Sequence, residues 1–296
     1  MDNRHAELKI AMTTRTSQST DDAQKQIVSE LALRADSCRA QGRHHESEVL
    51  FRRALDLAEQ IFTDDDSELL MLLNNFAVFC KYSGLFEEAE KLYNRALRIA
   101  ENRFGKRHAI VATLYHNLGG LEHARGRFAE AEIFARRSVE IRATALGADH
   151  PHTAADLAAL AAILDGLKRY KESEPIYLRV IDLFERGPVA DDYEIAVNLN
   201  NLAAVYQATD RLTEAEPLYQ RALAIKEKLC GANHPDIAVT LNNLGLLLKK
   251  LGRLTEAVDY YQRALAIFAA ALAPDHPKLL TCRANYENLR RLRRKQ

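Results

Sequence analysis

Apolar residues recur three and four positions apart over most of the chain. The clearest stretch begins near Asp192. Leu199, Leu202, Ala203 and Tyr206 share one face of a helix. A break follows at Thr209-Asp210-Arg211. Ala215, Leu218, Tyr219, Ala222, Leu223 and Ile225 then define a second helix. Thr213 with Glu216 predicts a capping box at its start. Gly231 suits its C-terminal cap, and Pro235 suits the first turn of the next helix.

This two-helix pattern returns every 42 residues without slip. Arginine stands at Arg53, Arg95, Arg137, Arg179, Arg221 and Arg263; glutamate stands at Glu46, Glu88, Glu130, Glu172, Glu214 and Glu256. A fixed period of this size predicts stacked helix pairs rather than a closed enzyme core. The expected repeats are about 24–65, 66–107, 108–149, 150–191, 192–233 and 234–275, with a lone capping helix over 277–295. Residues 1–22 are polar and without period, and read as a mobile tail whose Thr20, Asp21 and Asp22 cap the first helix. Residues 23–296 then form a single solenoid, because each unit buries its apolar face against a neighbour.

Small residues mark where paired helices approach. Ala77, Gly119, Ala161, Ala203 and Gly245 form one series in the first helix of each pair (helix A). Ser47, Ala89, Ala131, Ser173, Ala215 and Ala257 form another in the second (helix B). Phe51, Tyr93, Tyr177, Tyr219 and Tyr261 are expected core wedges, a series that Ala135 breaks with Phe134 beside it. The turns inside the pairs carry Gly42, Gly84, Gly126, Lys168, Asp210 and Gly252. Lys168 is the exception, so the fourth turn is expected to differ, with Gly166 shifting the bend. His108, His150, His234 and His276 recur between repeats, too far apart to share a metal ion, and read as loop structure.

Composition narrows the function. Lys+Arg and Asp+Glu are each 41, so net charge is zero. That balance argues against a general nucleic-acid or membrane-surface binder. No apolar run approaches the roughly 20 residues a bilayer needs, and no apolar signal core opens the chain. The four cysteines form no C-x-x-C pair and read as reduced thiols of a cytoplasmic protein. No phosphate-binding loop, dinucleotide fingerprint or HExxH occurs, and Cys230 and His234 lack an orienting third group. No enzyme activity, cofactor or metal is expected.

The segments LNNLAAVY at 199–206 and EAEPLYQRALAIKEKLCGANHPDIAVTLNNLG at 214–245 resemble tetratricopeptide repeats, particularly the 42-residue repeats of kinesin light chains. FEEAEKLYNRALRIAENRFGKRH at 86–108 is a weaker match. The resemblance spans about 24–295. It implies an all-α, right-handed superhelical solenoid of six helix-turn-helix repeats plus a C-terminal capping helix. Its A helices would line a concave groove for a partner's peptide segment, and helix-A asparagines would grip the peptide backbone. The matching positions are Asn75, Asn117, Ala159, Asn201, Asn243 and Asn285, preceded by Asn74, His116, Ala158, Asn200, Asn242 and Ala284.

Asparagine offers donors and acceptors together but is a poor helix-interior residue, costing up to about 0.7 kcal/mol against alanine. Two uses compete for the pairs: ligand contact, and hydrogen bonds that fix helix stacking. The first of each pair is expected to be the more exposed. Further along helix A, Lys81, His123, Asp165, Gln207, Lys249 and Lys250 point inward, mildly positive at both ends. They favour a ligand with acidic residues around an apolar anchor. Ala155, Ala158, Ala159 and Ala162 make a smooth patch in the fourth repeat. The Glu and Arg series of helix B either bridge successive repeats or form a solvated face. The function expected is a non-catalytic adaptor binding a peptide segment of a partner protein. The alternatives are a self-assembly module forming homo-oligomers and a regulatory subunit of a separate catalytic chain.

Overall fold

The computed structural model describes residues 23–63, 66–187 and 191–294, so the expected tail and its Thr20–Asp22 cap lie outside the described residues. Among the described residues there are thirteen helices and no strand. The chain divides into two compact units, Met1–Gly147 and Ala148–Gln296. In the first, the helix pairs are α1 (23–40) with α2 (His44–Ile61), α3 (Ser67–Tyr82) with α4 (Phe86–Phe104), and α5 (Ala109–Ala124) with α6 (Phe128–Leu146). In the second they are α7 (Pro151–Gly166) with α8 (Tyr170–Arg186), α9 (Asp192–Ala208) with α10 (Leu212–Cys230), and α11 (Pro235–Lys250) with α12 (Leu254–Ala271). The lone α13 (Pro277–Arg293) follows. This is the expected all-α repeat fold, six pairs and a cap.

Both small-residue series are buried where helices meet. Ser47, Ala77, Ala89, Ala131, Ala161, Ser173, Ala203, Ala215 and Ala257 are fully enclosed. A Cβ added at Gly245 would come within 3.0 Å of the Tyr261 ring, so glycine lets α11 and α12 close on that aromatic. The first unit uses phenylalanine for its first wedge. Phe51 stacks on Phe76 at 5.3 Å and lies 5.6 Å from Phe79. Where Ala135 interrupts the series, Phe134 stacks on Tyr115 instead at 6.2 Å. Fully burying a ring such as Phe51 contributes about 1.5–3 kcal/mol.

The turns correct one expectation. Lys168 and Asp210 take φ 59° and 64°, close to the 74–78° of Gly42, Gly84, Gly126 and Gly252. The fourth turn therefore matches the others. Its bonds, Lys168 N to Asp165 O and Arg169 N to Leu164 O (both 2.9 Å), repeat those of the Gly126 turn. Gly166 simply ends α7. The Thr213–Glu216 capping box is also absent. Helix α10 starts at Leu212, and its N-cap Arg211 makes no capping side-chain bond. The Arg211 guanidinium instead donates to both oxygens of Glu214 in the first turn, where a carboxylate also suits the helix dipole.

The periodic histidines are helix caps. Nδ1 of His108, His150, His234 and His276 accepts from the backbone N–H of Ile110, His152, Asp236 and Lys278. Some helix-B charges bridge repeats, whereas Arg137 pairs with Glu140 of its own helix. Arg95, Arg221 and Arg263 reach back to Glu59, Glu185 and Glu227. Glu214 and Glu256 pair with the turn arginines Arg211 and Arg253, which themselves bridge to Glu174 and Glu216.

Candidate peptide-binding face

Asparagine pairs in successive A helices form hydrogen-bonded ladders. Asn117 Nδ2 donates to Asn74 Oδ1 at 2.7 Å in the first unit. In the second, Asn243 donates to Asn200 Oδ1 at 3.3 Å and Asn285 to Asn242 Oδ1 at 3.1 Å. The register is constant: the asparagine at the second of the two positions in one A helix donates to the asparagine at the first position in the A helix before. Where that register holds alanine, the amide turns elsewhere. Asn75 faces Ala32 in register and donates to Asp36 Oδ2 at 3.2 Å. Asn201 faces Ala158 and interacts with the Tyr177 hydroxyl. Within pairs, Asn74 donates to Asn75 Oδ1 (3.2 Å) and Asn200 to Asn201 Oδ1 (3.5 Å). These bonds are the stacking use of asparagine.

One exposure expectation fails. Asn200 is 7% exposed, whereas its partner Asn201 is half-buried. The Asn200 Oδ1 faces α11, where it accepts from Asn243, so neighbouring helices cover it. Asn74, Asn75, Asn117, Asn242 and Asn243 are all half-buried, with ladder bonds and some amide surface left to solvent.

The inward ribbon is less uniform than its sequence implies. Gln207 is 6% exposed, and its Oε1 accepts from Tyr219 Oη at 3.1 Å, so it is a core residue rather than an open groove contact. Lys250 donates to the Gln207 carbonyl at 3.0 Å, tying α11 to α9. The half-buried Asp165 accepts from Ser173 Oγ and, at 2.7 Å, from Tyr177 Oη. Burial still raises its pKa above the usual carboxylate range, against those two bonds. Lys81 Nζ lies 4.4 Å from the Tyr82 ring centre. His123, an exposed residue edge-on to Phe128 at 5.3 Å, has its pKa lowered by partial burial and by the Lys81 charge. It therefore adds little positive charge at neutral pH. His116 and Lys249 are half-buried.

Sequence reasoning missed the open cavities of the first unit. One of about 230 Å³ lies between α1 and α3, lined by Val28, Ala32, Leu33, Met71 and Leu72, with Ser29, Asp36, Glu68 and Asn75 among its polar groups. A second of about 240 Å³ lies between α3 and α5, lined by Leu70, Met71, Ile110 and Leu114 beside Asn74 and Asn75. Met71 belongs to both and is 65% exposed; Leu33 is 71% exposed. The available signal was Leu33 and Met71 standing where helical periodicity calls for polar residues. Ala155, Ala158, Ala159 and Ala162 are half-buried along α7.

An all-α array of paired helices, with amide ladders and apolar cavities on its A-helix face, defines a helical-repeat protein. The tetratricopeptide repeat model matches residues 28–102, 68–144, 110–186, 194–270 and 236–296, and the chain belongs to that family. No curated protein sequence matches it. Among solved structures it is similar to BtubC (BKLC) from P. vanneervenii, at 24% identity over 79% of this chain and 94% of that one, with a TM-score of 0.65. It is also similar to a putative kinesin light chain of Podospora anserina with nearly identical TPR-like repeats (22% identity, 68% and 95% covered, TM-score 0.56). The apo quorum sensor NprR from B. thuringiensis shares the fold at 14% identity, with 98% and 78% covered and a TM-score of 0.66. Among the described residues no helix is long and apolar enough to cross a membrane.

Proposed function

We propose that the protein is a non-catalytic, cytoplasmic adaptor that seats a peptide segment of a partner protein along its A-helix face. The observation that carries this reading is the pair of solvent-open apolar cavities between successive A helices, bordered by half-exposed asparagine amides. Amides can pair with peptide N–H and C=O while a cavity takes an apolar anchor. Acidic residues of the partner would meet Lys81, Lys249 or Lys250. The fold is shared with a protein described as a quorum sensor.

The test compares partner capture by the wild type and by a Met71→Glu variant. Met71 is exposed, so the variant should keep its circular dichroism spectrum. The expected result is a retained partner that the variant loses at least tenfold. Equal capture by both, or mass that grows with concentration irrespective of Met71, would move the function to self-assembly or to another face.

A further inference from the structure

The first unit's groove carries information about its ligand that the lysines do not. Each cavity exceeds the roughly 150 Å³ that accommodates a benzene ring, so each accepts a Leu, Met or Phe side chain. They adjoin across Met71, on successive helices whose axes pack about 10 Å apart. A polyproline-II segment places residues i and i+3 on one side, about 9 Å apart. Two apolar side chains at that spacing would fill both cavities together.

The polar rim has one sign. Asp36 and Glu68 border the α1–α3 cavity, and no lysine or arginine stands in the lining of either cavity. Arg39 partly neutralises Asp36, at 3.3 Å, and Asn75 donates to the same carboxylate. Glu68 is exposed at the start of α3, where its Oε2 accepts from the Ser67 hydroxyl. A cation on the ligand would find complementary charge here, and a carboxylate would be repelled.

We propose that the α1–α3–α5 groove recognises an extended segment with two apolar side chains three residues apart, flanked by lysine or arginine. This rests on the groove reading above. It departs from the acidic preference that the lysines suggest, because Lys81 lines neither cavity and Lys249 and Lys250 belong to the second unit.

The test is selection of a degenerate ten-residue peptide library on the immobilised full-length chain, at low salt. The expected enrichment is Leu, Met or Phe at i and i+3, with Lys or Arg favoured over Asp or Glu at a flank by at least tenfold. Glu68→Lys should invert the flank preference, and Met71→Glu should abolish selection. Both positions are exposed, so folding is verified by circular dichroism. Acidic or indifferent flanks with Met71-dependent binding would overturn the charge assignment and leave the groove reading standing. Selected peptides that bind equally well to Met71→Glu would overturn both. An unenriched library would overturn this proposal, leaving the adaptor reading to the partner-capture comparison.

Discussion

At the residue scale, one register position decides whether a buried tyrosine is satisfied. Tyr219 donates to Gln207 and Tyr177 to Asp165, each twelve residues earlier. Lysine occupies that position before Tyr93 and Tyr261, as Lys81 and Lys249. The hydroxyls of both tyrosines are buried without a partner. A lysine ammonium can only donate to such a hydroxyl and leaves its proton without an acceptor, whereas a glutamine amide oxygen can take that proton. Lys249→Gln should therefore stabilise the fold by about 1 kcal/mol, read as a higher urea midpoint at unchanged slope. An unchanged midpoint would mean that the new amide does not reach Tyr261. Asp165 illustrates the cost of the opposite choice. Burial raises its folded-state pKa, so the folded state holds its proton more tightly than the unfolded chain. The associated stability is present at low pH and is lost as pH rises through the raised value. Asp165→Asn should gain stability over the wild type at pH 7, with the gap narrowing toward pH 4 in urea titrations. A gap that widens on acidification would reverse the assignment.

At the element scale, the helices were legible because apolar spacing and a 42-residue period agree at every repeat. Cap chemistry was less legible. The sequence places His234 before Pro235, but it takes the fold to bring Nδ1 to the Asp236 N–H, where it satisfies one orphan donor. Thr213 and Glu216 satisfy the capping-box pattern, yet α10 begins one residue before Thr213 and Arg211 takes the first-turn carboxylate instead. The Lys168 turn failed for a related reason. Propensity disfavours φ 59° for lysine by roughly 1–2 kcal/mol, but flanking helices packed as in every other repeat impose it. The candidate site was half legible. The asparagine series could be named, but whether its amides face a ligand or a neighbouring helix depends on inter-helix distance. The cavities beside Met71 arise from side chains of separate helices, and no single-helix pattern contains them.

At the scale of the whole molecule, the neutral charge balance takes on a structural meaning. With 41 basic and 41 acidic side chains, there is no net repulsion for salt to relieve. Part of this charge instead sits in bridges that cross from one repeat to the next within each unit. Arg52 reaches Glu88, Arg95 reaches Glu59, Arg221 reaches Glu185 and Arg263 reaches Glu227. Their side chains are between about a third and a half exposed, so the surface figure applies. The three bridges from Arg95, Arg221 and Arg263 then contribute about 0.2–1 kcal/mol each. In a repeat array, stability is a sum over neighbour interfaces, so small terms of one sign accumulate. Screening weakens every such bridge, whereas in a strongly charged protein the same salt would first remove self-repulsion. Raising sodium chloride from about 20 mM to about 500 mM, where the Debye length falls well below that at 0.1 M, should therefore lower the urea midpoint. An Arg95→Gln, Arg221→Gln, Arg263→Gln triple variant should start lower and lose less on the same addition. A midpoint that rises with salt in both proteins would show that the bridges are solvated contacts without stabilising effect, and that the periodic arginines serve the surface rather than the stack.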